Sequence, residues 1–515
     1  MNYYQQKLLS GNSTEENKIP DFSEFLDDLK VKMKNAFRNK EDGENVRPKR
    51  GVPQSAMQEI MSGSPLSVGI PKECGGRGVL MHENIAVLAA ASYESLALSL
   101  TFGINSALFL QPVGKFALDE IKKPVFKRFL EEKNMGGLMI TEPDFGSDAL
   151  NMQTSYKEKN ESYFIKGKKH WAGLTGWANF WLLTARKQNQ SGNLQRDIDF
   201  FICDVNAPGQ QIMVEEYFET PGLYTIPYGR NHIDVKIPEV QKLQPQTTGV
   251  KMMLDLLHRS RMQFPGMGMG FIKRMLDDSI AHCKQRFVGA KSLLGYDQVQ
   301  QRLSKLQAIY TVCSAMCANS SKKAGVENDL SSSGLEANAI KSVITDYMHE
   351  AAQSAVQLFG AKAYKTSHFA GMGMADSRPF QIFEGSNDIL YAQITEGVVK
   401  LMKRSKETNL YQFLKNFDLT ELAAGHIKSM SDFNLDLQLS QRKLVEMGKI
   451  IGRVISLNQL LEMADKGFRK DLIEGGVTML RQEITKLLAG FSFKNKSNVV
   501  EDYEENSSWL NFATA

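Results

Sequence analysis

The feature that most constrains this 515-residue chain is a change of pattern that happens twice. Residues from about 51 to 135 and from about 246 to 405 place apolar side chains at helical spacing; the stretch between them does not. From about 136 to 245 the chain reads SYFIKGKKHWAGL, ANFWLLTAR, IDFFICDV and HIDVKIPEV. These are short β-branched and aromatic runs punctuated by Gly, Asn, Asp and Pro. The pattern predicts an α+β protein, mainly α: an N-terminal helical domain (51–135), a middle β-domain (136–245) and a C-terminal helical bundle (246–405). That order leaves a cleft where three units meet, a common place for a ligand or cofactor.

Two flanking segments complete the chain. Residues 1–50 are rich in Lys, Asp, Glu and Asn and predict a polar tail with at most one short helix. Residues 406–515 predict a helical extension, since LVEMGKIIGRVISLNQLLEMA repeats apolar residues at helical spacing and needs a surface to cover. The simplest surface is the preceding bundle, or the same segment in another subunit. A peripheral membrane contact is the alternative, and it calls for a basic amphipathic face. The extension's charges, about 14 basic and 15 acidic, are interspersed and show no basic stripe.

Composition excludes several classes. The net charge of +4, from 62 basic and 58 acidic residues, is too balanced for a nucleic-acid partner. No uninterrupted apolar run has the length of a membrane span, and MNYYQQKLLSGNSTEEN lacks the plan of a secretory signal. The five cysteines (Cys74, Cys203, Cys283, Cys313, Cys317) are odd in number and scattered, which fits a reducing compartment and a cytoplasmic location. Cys313 and Cys317 lie four apart on a predicted helix, without His or Cys partners at metal-ligand spacing; they read as core thiols, and no metal site is expected.

Three segments carry residues suited to chemistry. ITEPDFGSD (Ile140–Asp148) is a turn whose Thr141 and Ser147 hydroxyls lie beside exposed amides; this suits a polar ligand edge or phosphate, although the segment taken alone reads first as a capped turn leading into a strand. In GKKHWAGLTGWANFWLL, a tryptophan beside a glycine-bearing turn suits cover for a flat ring, and equally a core aromatic; Trp181 reads as core. In RPFQIFEGSNDILYAQ, Glu384 is flanked by Phe380, Ile382 and Phe383. Partial desolvation would raise its pKa toward that of a general base, while a helix-start acid is an equal reading.

Together these segments resemble the acyl-CoA dehydrogenase family. ITEPDFGSD is similar to its TEPxxGSD signature, GKKHWAGLTGWAN to GxKxWIxNGxxAN, QIFEGSNDIL to (Y/F)EGTxxIQ, and IPKECGGRG, from Ile70, to IPxxYGGxG. The likeness covers about residues 60 to 405. It implies FAD as cofactor and α,β-dehydrogenation of an acyl thioester, on coenzyme A or an acyl carrier protein, to the trans-2-enoyl thioester. It also implies an electron-transfer flavoprotein as acceptor and a homo-oligomer, dimer or tetramer. An acyl-CoA oxidase and a catalytically idle flavoprotein scaffold are the alternatives.

Carried over residue by residue, the resemblance makes Glu384 the catalytic base. It assigns cofactor contacts to Ile140, Thr141, Ser147, Trp171, Gly173, Thr175, Arg286, Gln357, Gly360, Ala361, Ser386 and Asp388. Substrate contacts fall on Ser147, His258, Arg261 and Gly385, with Leu100 and Ile104 on the helix that floors the acyl pocket. Arg286 and Gln357 are the residues that would reach a neighbouring subunit's flavin, and Gln357 lies 27 positions before Glu384, as in the family. Some relatives place the base immediately before the equivalent of Arg261; that position is Ser260 here, which leaves Glu384 alone. The chain departs from the family at Gly173 (Thr there), Gly289 (Phe), Ala361 and Ala363 (Gly) and His258 (Asp). Gly266-Met-Gly-Met-Gly and Gly371-Met-Gly-Met look phosphate-like, but neither follows a strand. The first reads as small residues that let a helix approach its neighbour.

Overall fold

The N-terminal part is helical well before residue 51. In the computed structural model, which describes residues 20–38, 54–365, 367–493 and 499–503, helix α1 spans Phe22–Arg38. Phe25, Leu29, Met33 and Ala36 form one apolar stripe on it and are buried against α2 (Gln54–Ser62) and α3 (Met81–Glu94). The buried Arg77–Glu83 pair anchors its start, with Arg77 donating to the Pro20 carbonyl (3.0 Å) and lying over the Phe25 ring. The tail expected for 1–50 is therefore corrected over 22–38: the solvated composition describes one face of an amphipathic helix. Residues 1–19 and 39–53 of that expectation and its boundary lie outside the described residues.

Helices α4 (Leu96–Asn105) and α5 (Gln111–Phe116) run on through a π turn at Ser106–Leu110, and α6 (Asp119–Glu131) closes this part. The continuous stretch Leu96–Phe116 is long and apolar enough to cross a membrane by length and hydropathy, but 94% of its most apolar 18-residue window is buried inside the fold. It packs against α3 and β1.

The strands of the middle part are β1 (Gly136–Met139), β2 (Ser155–Glu158), β3 (Ser162–Gly173), β4 (Phe180–Lys187), β5 (Asp199–Asp204), β6 (Met213–Tyr217) and β7 (Tyr228–Pro238). They form a seven-stranded sheet in the order β1-β4-β2-β3-β7-β6, with β5 beside β4. The long β3–β7 antiparallel pair is its spine. β4 and β5 are almost wholly buried, and Trp181 and Phe200 to Cys203 fill the interior.

Helices return with α7 (Gly249–Arg261), α8 (Phe264–Gln285), a small hairpin of β8 (Phe287–Val288) and β9 (Lys291–Ser292), α9 (Asp297–Lys323), α10 (Gly334–Phe359), α11 (Phe369–Ser377) and α12 (Asn387–Ser405). Of the glycines of GMGMG on α8, Gly266 and Gly270 face α3 and Gly268 faces α10. A Cβ at Gly270 would come within 1.8 Å of the Ala89 carbonyl oxygen, so glycine allows the contact. Cys313 is buried with its Sγ 3.3 Å from the Pro265 carbonyl; burial pushes its thiol pKa up, and the adjacent Cys317 adds to the shift.

The extension is α13 (Leu410–Lys415), α14 (Glu421–Ala424), α15 (Lys428–Ser431), α16 (Gln441–Ala464) and α17 (Lys470–Ser492). It packs on the bundle: α16 lies along α12 and α10, and α17 along α9 and α16. Its apolar face, including Ile450, Ile451, Val454 and Ile455, is buried there.

Candidate active site

The rim of the β-domain is pinned from within. Lys169 is fully buried and donates to Glu142 Oε1 (3.0 Å), the Ile140 carbonyl (3.1 Å) and Thr184 Oγ1 (3.0 Å). Glu142 also accepts the Gln153 and Thr154 backbone N–H groups (2.6 and 2.9 Å). Burial opposes the Glu142 charge, yet Lys169 and these N–H groups hold its pKa below the ordinary value; burial brings Lys169 down to about 8. This locks Ile140 and Thr141 in place beneath the exposed turn that carries Ser147.

One residue beyond the sheet's regular register, β3 bulges between His170 and Ala172, and Trp171 takes a left-handed backbone (φ +55°). The bulge turns the indole outward, and it is 53% exposed. Phe218 supports it at 4.6 Å between ring centroids, and His170 packs on the same Phe218 at 4.9 Å. Gly173 ends the strand where α4 arrives: a Cβ there would meet Ile104 Cδ1 at 2.9 Å and the Tyr228 ring at 3.3 Å. The Gly173 departure from the family thus makes room for this approach.

Glu384 sits in the turn just ahead of α12, with φ +53°, followed by Gly385 at φ +89°. A left-handed non-glycine residue is held there by its surroundings. The buried Arg261 donates from Nε to the Glu384 carbonyl (3.0 Å), and the fully buried Lys341 donates from Nζ to the Gly385 carbonyl (2.8 Å) and to Asn387 Oδ1 (3.0 Å). Phe380 is fully buried and Phe383 half-buried, and both pack on Phe264; Ile382 is exposed and takes no part in that wall.

The carboxylate itself is unevenly partnered. Ser260 Oγ donates to Oε1 (2.9 Å), while Oε2 is sealed from solvent with no hydrogen-bond partner. Burial pushes the Glu384 pKa up, with Arg261, Ser260 and Lys341 holding it back in that order. The same burial brings Lys341 down to about 7. Ser260, excluded as a base, instead orients the base.

Tyr228 joins the two halves. It pairs with Gly173 in the sheet, its ring lies 6.4 Å from that of Trp171, and the Glu384 charge adds to burial in raising its hydroxyl pKa. A second tie crosses nearby: the Leu223 N–H donates to Asp376 Oδ1 of α11 (2.6 Å). The β3 end, α4, α7 and the Glu384 turn therefore come together around Tyr228.

The other predicted residues fall elsewhere. Thr175 is buried inside the β-domain, donating to the Ala172 carbonyl (2.7 Å) and accepting from Asn231 (3.0 Å), so its hydroxyl is committed away from the cleft. His258 is buried with Nδ1 2.7 Å from the Leu330 carbonyl, which turns it toward the start of α10. Ser386 precedes the first turn of α12 without a side-chain capping bond, and the exposed Asp388 lies 3.8 Å from Lys449 of α16, on the side of α12 that meets the extension. Arg286, Gln357, Gly360 and Ala361 are all exposed. They gather around His282, which stacks on Phe359 at 4.4 Å and has its pKa lowered by burial, Lys362 and Arg286. Sequence reasoning missed Tyr228, Lys341 and Asn338, which accepts from Arg261 (2.8 Å). A lone lysine inside the apolar run EANAIKSVI was the available signal for Lys341; Tyr228 left none, because its place depends on strand register.

Comparison with known proteins bears on the family and the fold. A family profile described as acyl-CoA dehydrogenase, middle domain, matches residues 137–235, and one described as acyl-CoA dehydrogenase, C-terminal domain, matches residues 247–399. An acyl-CoA dehydrogenase of Bacillus subtilis (strain 168) is 24% identical over 332 residues, 63% of this chain and 84% of that protein. Among solved structures, butyryl-CoA dehydrogenase from Megasphaera elsdenii superposes with a TM-score of 0.65 at 20% identity, covering 75% of this chain and all of that one. An acyl-CoA dehydrogenase from Bacillus anthracis, solved with FAD, superposes with a TM-score of 0.72 at 15% identity over 94% of each chain, a span that takes in most of the C-terminal extension. The profiles, the relatives and the fold agree on one assignment: the chain belongs to the acyl-CoA dehydrogenase family of oxidoreductases.

Proposed function

We propose that this protein is a cytoplasmic, FAD-dependent dehydrogenase that removes the α and β hydrogens of an acyl thioester and releases the trans-2-enoyl thioester. The observation that carries the reading is Glu384: a half-buried residue whose carboxylate has one oxygen oriented by Ser260 and the other sealed from solvent without a partner. Such a group is prepared to accept a proton, and its raised pKa suits a base acting on a weak carbon acid.

The residues present fit a flavin. Trp171 exposes its indole beside the Thr141–Ser147 turn, and Tyr228 links that rim to Glu384. Trp171, Thr141, Ser147 and Gly173 would hold the group. Bound FAD supplies the acceptor for the β-hydrogen and its electron pair. Glu384 Oε2 takes the α-proton, and the electrons of that C–H bond pass to the thioester carbonyl. The Glu384 backbone N–H makes no hydrogen bond to another described residue and is free to polarise that carbonyl. Arg261 and Lys341 hold the turn's own carbonyls, which keeps this N–H in place.

Leu100 and Ile104, buried on α4 beside the β3 end, favour a medium or long acyl chain. The exposed cluster of Arg286, Gln357, Gly360 and Ala361 lies in segments that also expose Phe287, Val288 and Tyr364, which favours a homo-oligomer in which this patch meets a neighbour's flavin. An electron-transfer flavoprotein is the proposed acceptor.

The test is anaerobic mixing of the purified flavoprotein with butyryl-, octanoyl- and palmitoyl-CoA and one acyl-carrier protein, following flavin bleaching and enoyl product. Bleaching in the wild type and its loss in Glu384→Gln, with flavin retained, is the expected result. Near-normal bleaching in the variant overturns the assignment of the base. No bleaching of a flavin-loaded wild type by any thioester points to the scaffold, and rapid peroxide formation in air to the oxidase.

A further inference from the structure

Helix α16 of the extension lies directly on the catalytic bundle. A Cβ at Gly448 would come within 2.0 Å of the Tyr391 carbonyl oxygen, and one at Gly452 within 3.0 Å of Val343. These glycines let α16 approach α12 and α10 closely and carry Arg453 into the interior, where it is 8% exposed.

The Arg453 guanidinium spans three helices. Nη1 donates to the Tyr391 hydroxyl (2.6 Å), Nη2 to Asp346 Oδ2 (3.3 Å) and Nε to Glu483 Oε2 (3.5 Å). Asp346 is the centre of the network. Its Oδ2 also accepts from Tyr391 (2.6 Å), and its Oδ1 accepts from Gln381 Nε2 (2.9 Å) and Asn387 Nδ2 (2.8 Å). Gln381 and Asn387 stand three residues before and three after Glu384, so one carboxylate holds both ends of the turn that carries the base. Asn387 passes the grip on, since its Oδ1 accepts from Lys341, which bonds the Gly385 carbonyl.

A buried carboxylate accepts several bonds at once only while ionised, and ionisation in the interior requires a balancing cation. Arg453 is the cation bonded to Asp346 among the described residues. Its planar fork also fixes the direction of the pair, which a bare ammonium would not. We infer that Arg453 of the C-terminal extension is a positioning residue for Glu384: by keeping Asp346 a charged acceptor, it clamps both ends of the turn Gln381–Asn387 in the left-handed form that aims the carboxylate. The extension then completes the active site of its own chain. This rests on the reading of Glu384 as the base.

The test uses the full-length, flavin-loaded protein and four variants: Arg453→Met, Arg453→Lys, Asp346→Asn and Leu460→Ala. Leu460 is a fully buried α16 residue packed near Gly476 of α17, outside the network, and its truncation loosens the extension without touching Asp346. Two quantities are read: amide exchange of a peptide covering 380–390, and kcat and KM with whichever of butyryl-, octanoyl- or palmitoyl-CoA turns over fastest. Arg453→Met is expected to speed exchange in that peptide and lower kcat about tenfold or more with KM little changed, as for a misplaced catalytic group. Asp346→Asn should reproduce this, Arg453→Lys should recover much of it, and Leu460→Ala should lower the melting temperature while leaving turn exchange and kcat in place.

Unchanged turn exchange in both Arg453→Met and Asp346→Asn overturns the inference. So does an equal effect of Leu460→Ala, which would make the support general rather than specific. Should Arg453→Met fail to fold, Arg453→Lys and Asp346→Asn decide the matter. Glu384→Gln, run alongside, separates the two readings. A retained rate in that variant with faster exchange in Arg453→Met removes the base but keeps the clamp. A lost rate with no effect at Arg453 keeps the base and removes the clamp.

Discussion

Two Lys–Glu pairs lie in different parts of the fold, one within the β-domain and one at the turn ahead of α12. In the β-domain, Lys169 bonds Glu142 directly, and the remaining capacity of that carboxylate goes to backbone N–H groups. At the Glu384 turn, Lys341 lies near enough to influence the carboxylate but spends its hydrogen bonds on the Gly385 carbonyl and Asn387. The result is opposite in sign: Glu142 is held below the ordinary carboxylate range and Glu384 is raised above it. Burial is common to both, so satisfaction of the oxygens decides. A buried acid with every lone pair engaged is a structural anchor; one with an open oxygen is a base.

The largest effect that can sharpen this contrast is on rate. Glu384→Gln is expected to slow the reductive half-reaction by about 10² to 10⁴ while the folded, flavin-bound state persists, because an amide cannot take the α-proton. Stopped-flow bleaching measures it, and a loss under about tenfold would show that Oε2 is not the acceptor.

The converse substitution tests stability. Glu142→Gln leaves Lys169 in the interior without its counter-charge and should destabilise the protein by about 3–5 kcal/mol in urea unfolding. Adding Lys169→Met should recover much of that loss, since the pair is then replaced rather than broken. A Glu142→Gln protein as stable as wild type would place the anchor elsewhere.

A smaller effect is expected at Lys341. Its positive charge holds the Glu384 pKa down, so Lys341→Met should move the acid limb of kcat/KM to higher pH. The base must be ionised to act, and activity appears as pH rises through its pKa; losing a neighbouring cation raises that pKa. A limb that stays or moves to lower pH contradicts the coupling.

The last prediction concerns Asp376, whose carboxyl is pushed up to about 6 by burial, partly offset by the Leu223 N–H. A carboxyl with a raised native pKa binds protons more tightly folded than unfolded. It therefore weakens the fold as pH rises from about 4 through 6. Asp376→Asn keeps an acceptor for Leu223 and should gain about 2–3 kcal/mol at pH 8 and almost nothing at pH 4. A gain of the same size at both pH values would assign it to packing.

How much of this was legible in the sequence can be argued from particular residues. The helix–sheet–helix order followed from periodicity, because the 3.6- and 2-residue repeats are written in the chain itself. The short motifs singled out Glu384, Trp171 and the Ile140–Ser147 turn for the same reason: each is a local pattern. The helix Phe22–Arg38 was misjudged because its polar face dominates the composition, while its four apolar anchors are spread over three turns.

Local pattern alone settled which residue types are available for chemistry and which segments are strand or helix. Whether Glu384 was an exposed helix-start acid or a base was decided only in three dimensions. Its environment comes from Ser260, Arg261 and Lys341, on two other helices, and desolvation and charge act through space. The outward turn of Trp171 depends on a bulge set by pairing with β7. Thr175 lies near a motif position and His258 occupies one, yet both side chains turn inward, because hydrogen bonds to the Ala172 and Leu330 carbonyls, set by the folded chain, commit them there. The place of Arg453 beside Asp346, 107 residues away in the chain, depends wholly on α16 packing against α10 and α12. Sequence determines local conformation through short-range sterics and periodicity, whereas burial and pairing of charges are long-range properties that exist only once the helices and the sheet have closed on one another.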